Sequence, residues 1–149
     1  PADTIQEVYS KTRSIGFGAE TRRRILVGAF VLSAGYADAY YRKARAARDL
    51  LRADFAKAFE SVDVIATPVT PTPAFKIGKN TSDPLAMYLE DIFTVPINLA
   101  GVPAISVPSG AVAREGKNLP VGFQLVGPWR GEEGLFTIAQ DVEKTRHQT

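Results

Sequence analysis

The sequence contains no cysteine, one histidine, one methionine and one tryptophan in 149 residues. Without cysteine no disulfide framework and no thiolate metal site can form, which fits a reducing compartment and makes the cytoplasm the default expectation. The histidine, His147, stands near the carboxyl end, where chains fray, so neither a serine–histidine–aspartate triad nor a histidine metal site is expected. No apolar run approaches the roughly 18 residues that cross a bilayer, and no charged-then-apolar leader opens the chain, so no membrane association is expected. There is no glycine-rich phosphate loop, no repeat and no low-complexity tract. Charge of one sign is also scarce: 18 basic against 16 acidic residues leave a net +2, too little to argue for nucleic acid.

What is present is the composition of an ordinary soluble globular protein, with 45% apolar and 23% charged residues. The length suits one domain over residues 1–149, large enough to bury about 70% of its unfolded surface. The chain opens at Pro1 without methionine, in what reads as continuing sequence. It is therefore expected to be a truncated piece of a larger protein.

The most unusual chemistry lies in Asp83–Gly110, DPLAMYLEDIFTVPINLAGVPAISVPSG. Asp83 followed by Pro84 opens a helix, because the carboxylate can accept from free amides and proline at the first position gives up no needed donor. Leu85, Tyr88, Leu89 and Ile92 recur at helical spacing and should face a core, leaving Glu90 and Asp91 to solvent or to a cleft. Thr94-Val95-Pro96 breaks and restarts the helix, and Gly101 closes it in a left-handed turn. Ala104-Ile105-Ser106-Val107, bounded by Pro103 and Pro108, reads as a buried strand of a parallel or mixed sheet.

Elsewhere the chain alternates helical and extended patterns. Residues Pro1 to Phe17 carry little periodicity and lead into a Gly16-Phe17-Gly18 turn. ETRRRILVGAFVLSAG, from Glu20 to Gly35, reads as a largely buried helix with a basic head at Arg22, Arg23 and Arg24. Cations at a helix amino end oppose the macrodipole by a few tenths of a kcal/mol up to about 1, so this head is a solvated patch or has a function. Tyr36–Glu60 is the clearest amphipathic helix, with Asp38–Arg42 and Arg45–Asp49 at pairing distance. Val62–Thr67 is a strand candidate, followed by the extended PVTPTPAF. Asn80-Thr81-Ser82 matches a glycosylation acceptor by chance. Val121, Phe123 and Leu125 alternate along a strand that can form a hairpin with Ala104–Val107. Glu132-Glu133 opens a last helix whose stripe is Leu135, Ile138, Ala139 and Val142, with Lys144 and Arg146 at its end. Ser33, Ser61, Ser82, Ser106 and Ser109 stand singly with no base beside them, so no nucleophile is visible.

The ordered blocks GFGAETRRRILVGAFVLSAGYADAYYRKA, DVIATPVTPTPAF, DPLAMYLEDIFTVPINLAGVPAISVPSG and PVGFQLVG resemble the carboxy-terminal third of amidase-signature enzymes. Within that family they are most similar to the A subunits of glutamyl/aspartyl-tRNA amidotransferases. The resemblance covers nearly the whole chain. It implies an α/β fold, the carboxy-terminal part of an α/β/α sandwich around a mixed sheet. It also implies glutaminase chemistry that supplies ammonia for amidating misacylated tRNA. The family's catalytic lysine, cis-peptide serine and nucleophilic serine have no counterpart in these residues, so no catalytic residue is assigned and the isolated chain is expected to be inactive.

The resemblance assigns glutamine binding to Arg24, at the head of the RRI helix, and to Asp91, before TVPINLAG. The chemistry agrees, since a guanidinium grips an α-carboxylate bidentately and a carboxylate accepts from an α-ammonium. On the residues alone both could be ordinary surface charges. No cofactor is expected in this chain, with ATP and Mg²⁺ left to a partner subunit. The implied partners are glutamine, the B and C subunits of such a complex, and tRNA only indirectly. Two other readings stay open: a piece of another small-amide amidase of the family, and a non-catalytic binding domain.

Overall fold

The computed structural model describes residues 4–78 and 84–146. Asp83, the Asn80-Thr81-Ser82 triplet and His147 lie outside them. The chain divides into two compact units, residues 1–47 and 48–149, which are described separately.

The first unit is helical. α1 spans Ile5–Gly16, where no helix was expected. Thr4 caps it, its Oγ1 accepting from the Glu7 amide at 3.2 Å, and the Thr-x-x-Glu spacing is a helix-start signal carried by two residues rather than by periodicity. α2 spans Ala19–Val31, stopping four residues short of Gly35. Ser33 tightens its last turn, with both its hydroxyl (2.7 Å) and its amide (3.0 Å) donating to the Phe30 carbonyl. Gly35 then takes φ 85°. α2 was expected to be largely buried, but Ile25, Leu26, Val27 and Phe30 are exposed. Within its unit it packs on a single π-helical turn, Ala37–Tyr41. Phe30 meets the Tyr36 ring at 4.3 Å between centroids, and Tyr36 stacks on Tyr40 at 6.0 Å. That turn runs directly into α3, Arg42–Ala58, which continues into the second unit. The Asp38–Arg42 pair forms at 2.9 Å.

The second unit is built on a three-stranded sheet of order β1-β3-β2, with β1 at Ile65–Pro68, β2 at Ala104–Arg114 and β3 at Lys117–Val126. Both pairings are antiparallel. The strand expected between Pro103 and Pro108 forms and runs on past Pro108, in a sheet that is antiparallel among the described residues rather than parallel or mixed. A β-bulge between Pro108 and Gly110 accommodates the proline, whose missing N–H would otherwise interrupt the ladder. β2 and β3 form the expected hairpin. Its two-residue turn has positive φ at both Glu115 (51°) and Gly116 (74°), the twist that suits a tight antiparallel connection.

Alternation along the strands sends Phe123 and Leu125 of β3, with Ile105 and Val107 of β2, to one face. α6, Glu132–Arg146, covers that face. Val107, Leu125, Leu135 and Ala139 form the buried core, with Ile138 and Val142 packed beside them as the helical stripe predicts. α4, Pro84–Glu90, and α5, Val95–Ala100, are the two short kinked helices expected. α5 is closed by Gly101 at φ 75°. The α4 stripe was expected to face a core; instead Leu85, Tyr88, Leu89 and Ile92 are exposed. Among the described residues no helix is long and apolar enough to cross a membrane.

Leu135→Ala is expected to destabilise the protein by about 2–5 kcal/mol, because it opens a cavity under α6. Gly116→Ala should cost about 1–2 kcal/mol, because alanine resists the left-handed turn. Denaturant midpoints measure both.

Candidate functional site

Asp91 sits immediately after α4, in a turn built by its own backbone. Its amide donates to the Tyr88 carbonyl at 3.2 Å, and the Ile92 amide to that of Leu89 at 3.3 Å, continuing the helical ladder. The Asp91 carbonyl then receives the amides of Thr94 and Val95, each at 3.0 Å, and the Thr94 hydroxyl at 3.2 Å. Three donors on one oxygen fix the peptide from which the Asp91 side chain leaves. The Asn98 amide nitrogen donates to the Thr94 carbonyl at 2.9 Å and joins the turn to α5.

The two acidic residues at this corner differ. Glu90 accepts from the Thr72 hydroxyl at 3.3 and 3.4 Å, so the proline-rich stretch after β1 reaches the end of α4. The Asp91 carboxylate is exposed and, among the described residues, has no hydrogen-bond or ion-pair partner. It is an acceptor held on a fixed backbone and free for an external cation.

Arg24 lies in the first turns of α2, in the other unit, and is described there. Its Nε lies 3.2 Å from Glu20 Oε1, while Arg23 reaches the other Glu20 oxygen at 3.6 Å. Glu20 thus offsets two of the three arginines that the macrodipole disfavours. The pair engages the Nε edge of Arg24, leaving the paired terminal nitrogens as a donor fork for a second carboxylate. With 71% of its side chain exposed, Arg24 is open to such a ligand.

Glu20 and Gln124 were not singled out by the sequence reading. Glu20 was legible as the acid four residues before Arg24. Gln124 alternates with the apolar residues of its strand, and it is buried. The hydroxyls of Ser33, Ser61 and Ser109 all donate to backbone carbonyls and none to a side-chain base. Among the described residues no group of three acidic, histidine or cysteine side chains could hold a metal ion. A depression of about 640 Å³ lies elsewhere, between Phe75–Ile77 and the hairpin turn, and contains neither Arg24 nor Asp91.

The amidase family profile matches residues 1–136, and the chain belongs to the amidase family. It is 55% identical over 143 residues to the A subunit of the glutamyl-tRNA(Gln) amidotransferase of Geobacter metallireducens. It is 52% identical over the same length to that of Microcystis aeruginosa. Each match covers 96% of this chain, and the chain spans 29% of the length of these relatives. Among solved structures, an amidase superimposes with a TM-score of 0.68 at 27% identity, over 91% of this chain and 30% of the other. The S177A allophanate hydrolase of Kluyveromyces lactis superimposes with a TM-score of 0.63 at 26% identity, over 89% and 22%. The α/β fold expected from the sequence blocks is therefore that of this family.

Replacing Glu20 with glutamine is expected to change folding stability by less than about 1 kcal/mol, because the ion pairs it removes are largely exposed and screened. A denaturant titration tests this.

Proposed function

We propose that this chain is the glutamine-recognising, carboxy-terminal part of an aspartyl/glutamyl-tRNA amidotransferase A subunit, which works in the cytoplasm as the glutaminase that feeds ammonia to the amidation of misacylated tRNA. The observation that carries this reading is the 52–55% identity to subunits of that name across 96% of the chain. The solved amidase and allophanate hydrolase, at 26–27% identity, are more distant in sequence and favour another small amide less.

In this reading each of the two charged residues binds a charged end of glutamine. The terminal nitrogens of Arg24 take the α-carboxylate of glutamine, and Asp91 takes the α-ammonium. Neither residue is a nucleophile or proton carrier for amide cleavage. Their contribution is to binding and orientation, and the bond-breaking groups belong to the rest of the full-length protein. The B and C subunits are the protein partners, and tRNA engages through them. ATP and Mg²⁺ serve the partner subunit that activates the tRNA-bound carboxylate.

Arg24→Ala in the full-length subunit should raise KM for glutamine roughly 30-fold, the equivalent of a lost charged contact of about 2 kcal/mol. Asp91→Asn should act in the same direction. Glutaminase kinetics measure both, and an unchanged KM in either variant removes that residue from the site. The isolated 149-residue chain should release no ammonia from glutamine, and a coupled ammonia assay that detects turnover would contradict the proposed division of labour.

A further inference from the structure

We propose that Gln124 is a positioning residue for glutamine recognition: its buried amide ties the Asp91 turn to the sheet. This rests on the reading of Asp91 above, and the argument starts from the strand register. Gln124 lies in the central strand, opposite Thr67 of β1 and Ser106 of β2, on the face turned away from α6. It is the buried polar side chain among the described residues, in a strand end that otherwise buries Leu125 and Val126.

The amide reaches out from the sheet in two directions. Nε2 donates to Thr67 Oγ1 at 3.0 Å and to the Phe93 carbonyl at 3.1 Å. The chemistry of the partners fixes which way the amide points. A backbone carbonyl only accepts, and the Thr67 hydroxyl has already given its proton to the Pro68 carbonyl at 3.2 Å. Both partners present lone pairs, so only the NH₂ end satisfies them, and both of its hydrogens are used.

Phe93 lies inside the turn that Asp91 begins and Thr94 and Val95 close. Among the described residues no backbone hydrogen bond joins residues 91–95 to the sheet. The side-chain bond from Gln124 makes that connection, and the three donors on the Asp91 carbonyl carry it on to the residue that meets the ligand. Misplacing a positioned group by about 1 Å can cost on the order of a hundredfold in an enzyme's efficiency, so a loosened turn should be read in glutamine binding.

The test uses the full-length subunit carrying Gln124→Met, which keeps length and removes both donors, with Asp91→Asn in parallel. Gln124→Met is expected to raise KM for glutamine about tenfold or more with kcat changed by less than about threefold. It should also speed hydrogen exchange at the Thr94 and Val95 amides, a local readout that general destabilisation would not confine to the turn. Should Gln124→Met fail to fold, Thr67→Val removes one of the two acceptors at a half-buried position. It should raise KM about threefold, with Thr67→Ser restoring it. If Asp91→Asn raises KM while the Gln124 or Thr67 variant leaves both KM and turn exchange unchanged, this proposal is overturned and the recognition reading stands. If Asp91→Asn leaves KM unchanged, the recognition reading falls and takes the proposal with it.

Discussion

A polar amide placed inside an apolar sheet must find partners or cost the fold on the order of 1–3 kcal/mol. Gln124 meets that demand by bonding to a strand on one side and to a turn on the other. The opposite face needs no such device, because α6 covers it with Leu135 and Ala139 against Val107 and Leu125. The second unit is therefore asymmetric: one face is held by apolar packing, which tolerates small slides. The other, which also carries the fully buried Val126, is held in addition by directional bonds, which do not. The candidate ligand group, Asp91, belongs to the directional face.

The elements with local signals were legible in the sequence. Pro84 opened α4, Gly101 closed α5, and the Leu135-Ile138-Ala139-Val142 stripe set both the extent of α6 and its buried side. α1 was missed because its start is specified by Thr4 and Glu7 rather than by a stripe. The type of sheet was not legible, because a short apolar run between prolines looks alike in parallel, mixed and antiparallel sheets; a bulge can absorb the second proline. The sequence points to Asp91 as a candidate but not to what supports its turn: alternation assigns Gln124 to a face but does not say what comes to lie on that face.

Apolar stripes on α2 and α4 read as buried faces and are exposed. A helical period records that a face is suited to burial and leaves the identity of its cover unspecified. In a chain that spans 29% of its relatives' length, that distinction has practical weight. The local pattern predicts the helices correctly, and the burial inferred from it depends on contacts not made within the unit that carries them.

The irregularity between Pro108 and Gly110 has a consequence for sequence length. Across it β2 advances two residues while β3 advances one, so positions on the side that carries Ile105 and Val107 change from odd numbers to even ones such as Val112. Ser109 is thus the residue that reconciles two numbering parities along one strand. Deleting it would make Pro108↔Gly122 and Gly110↔Val121 consecutive pairs, restoring a regular ladder with both halves of the strand on their present faces. A gain or loss at Glu115–Gly116, beyond the last paired residues, would also leave both faces intact, so the bulge and the hairpin tip are the two points where this strand pair can change length.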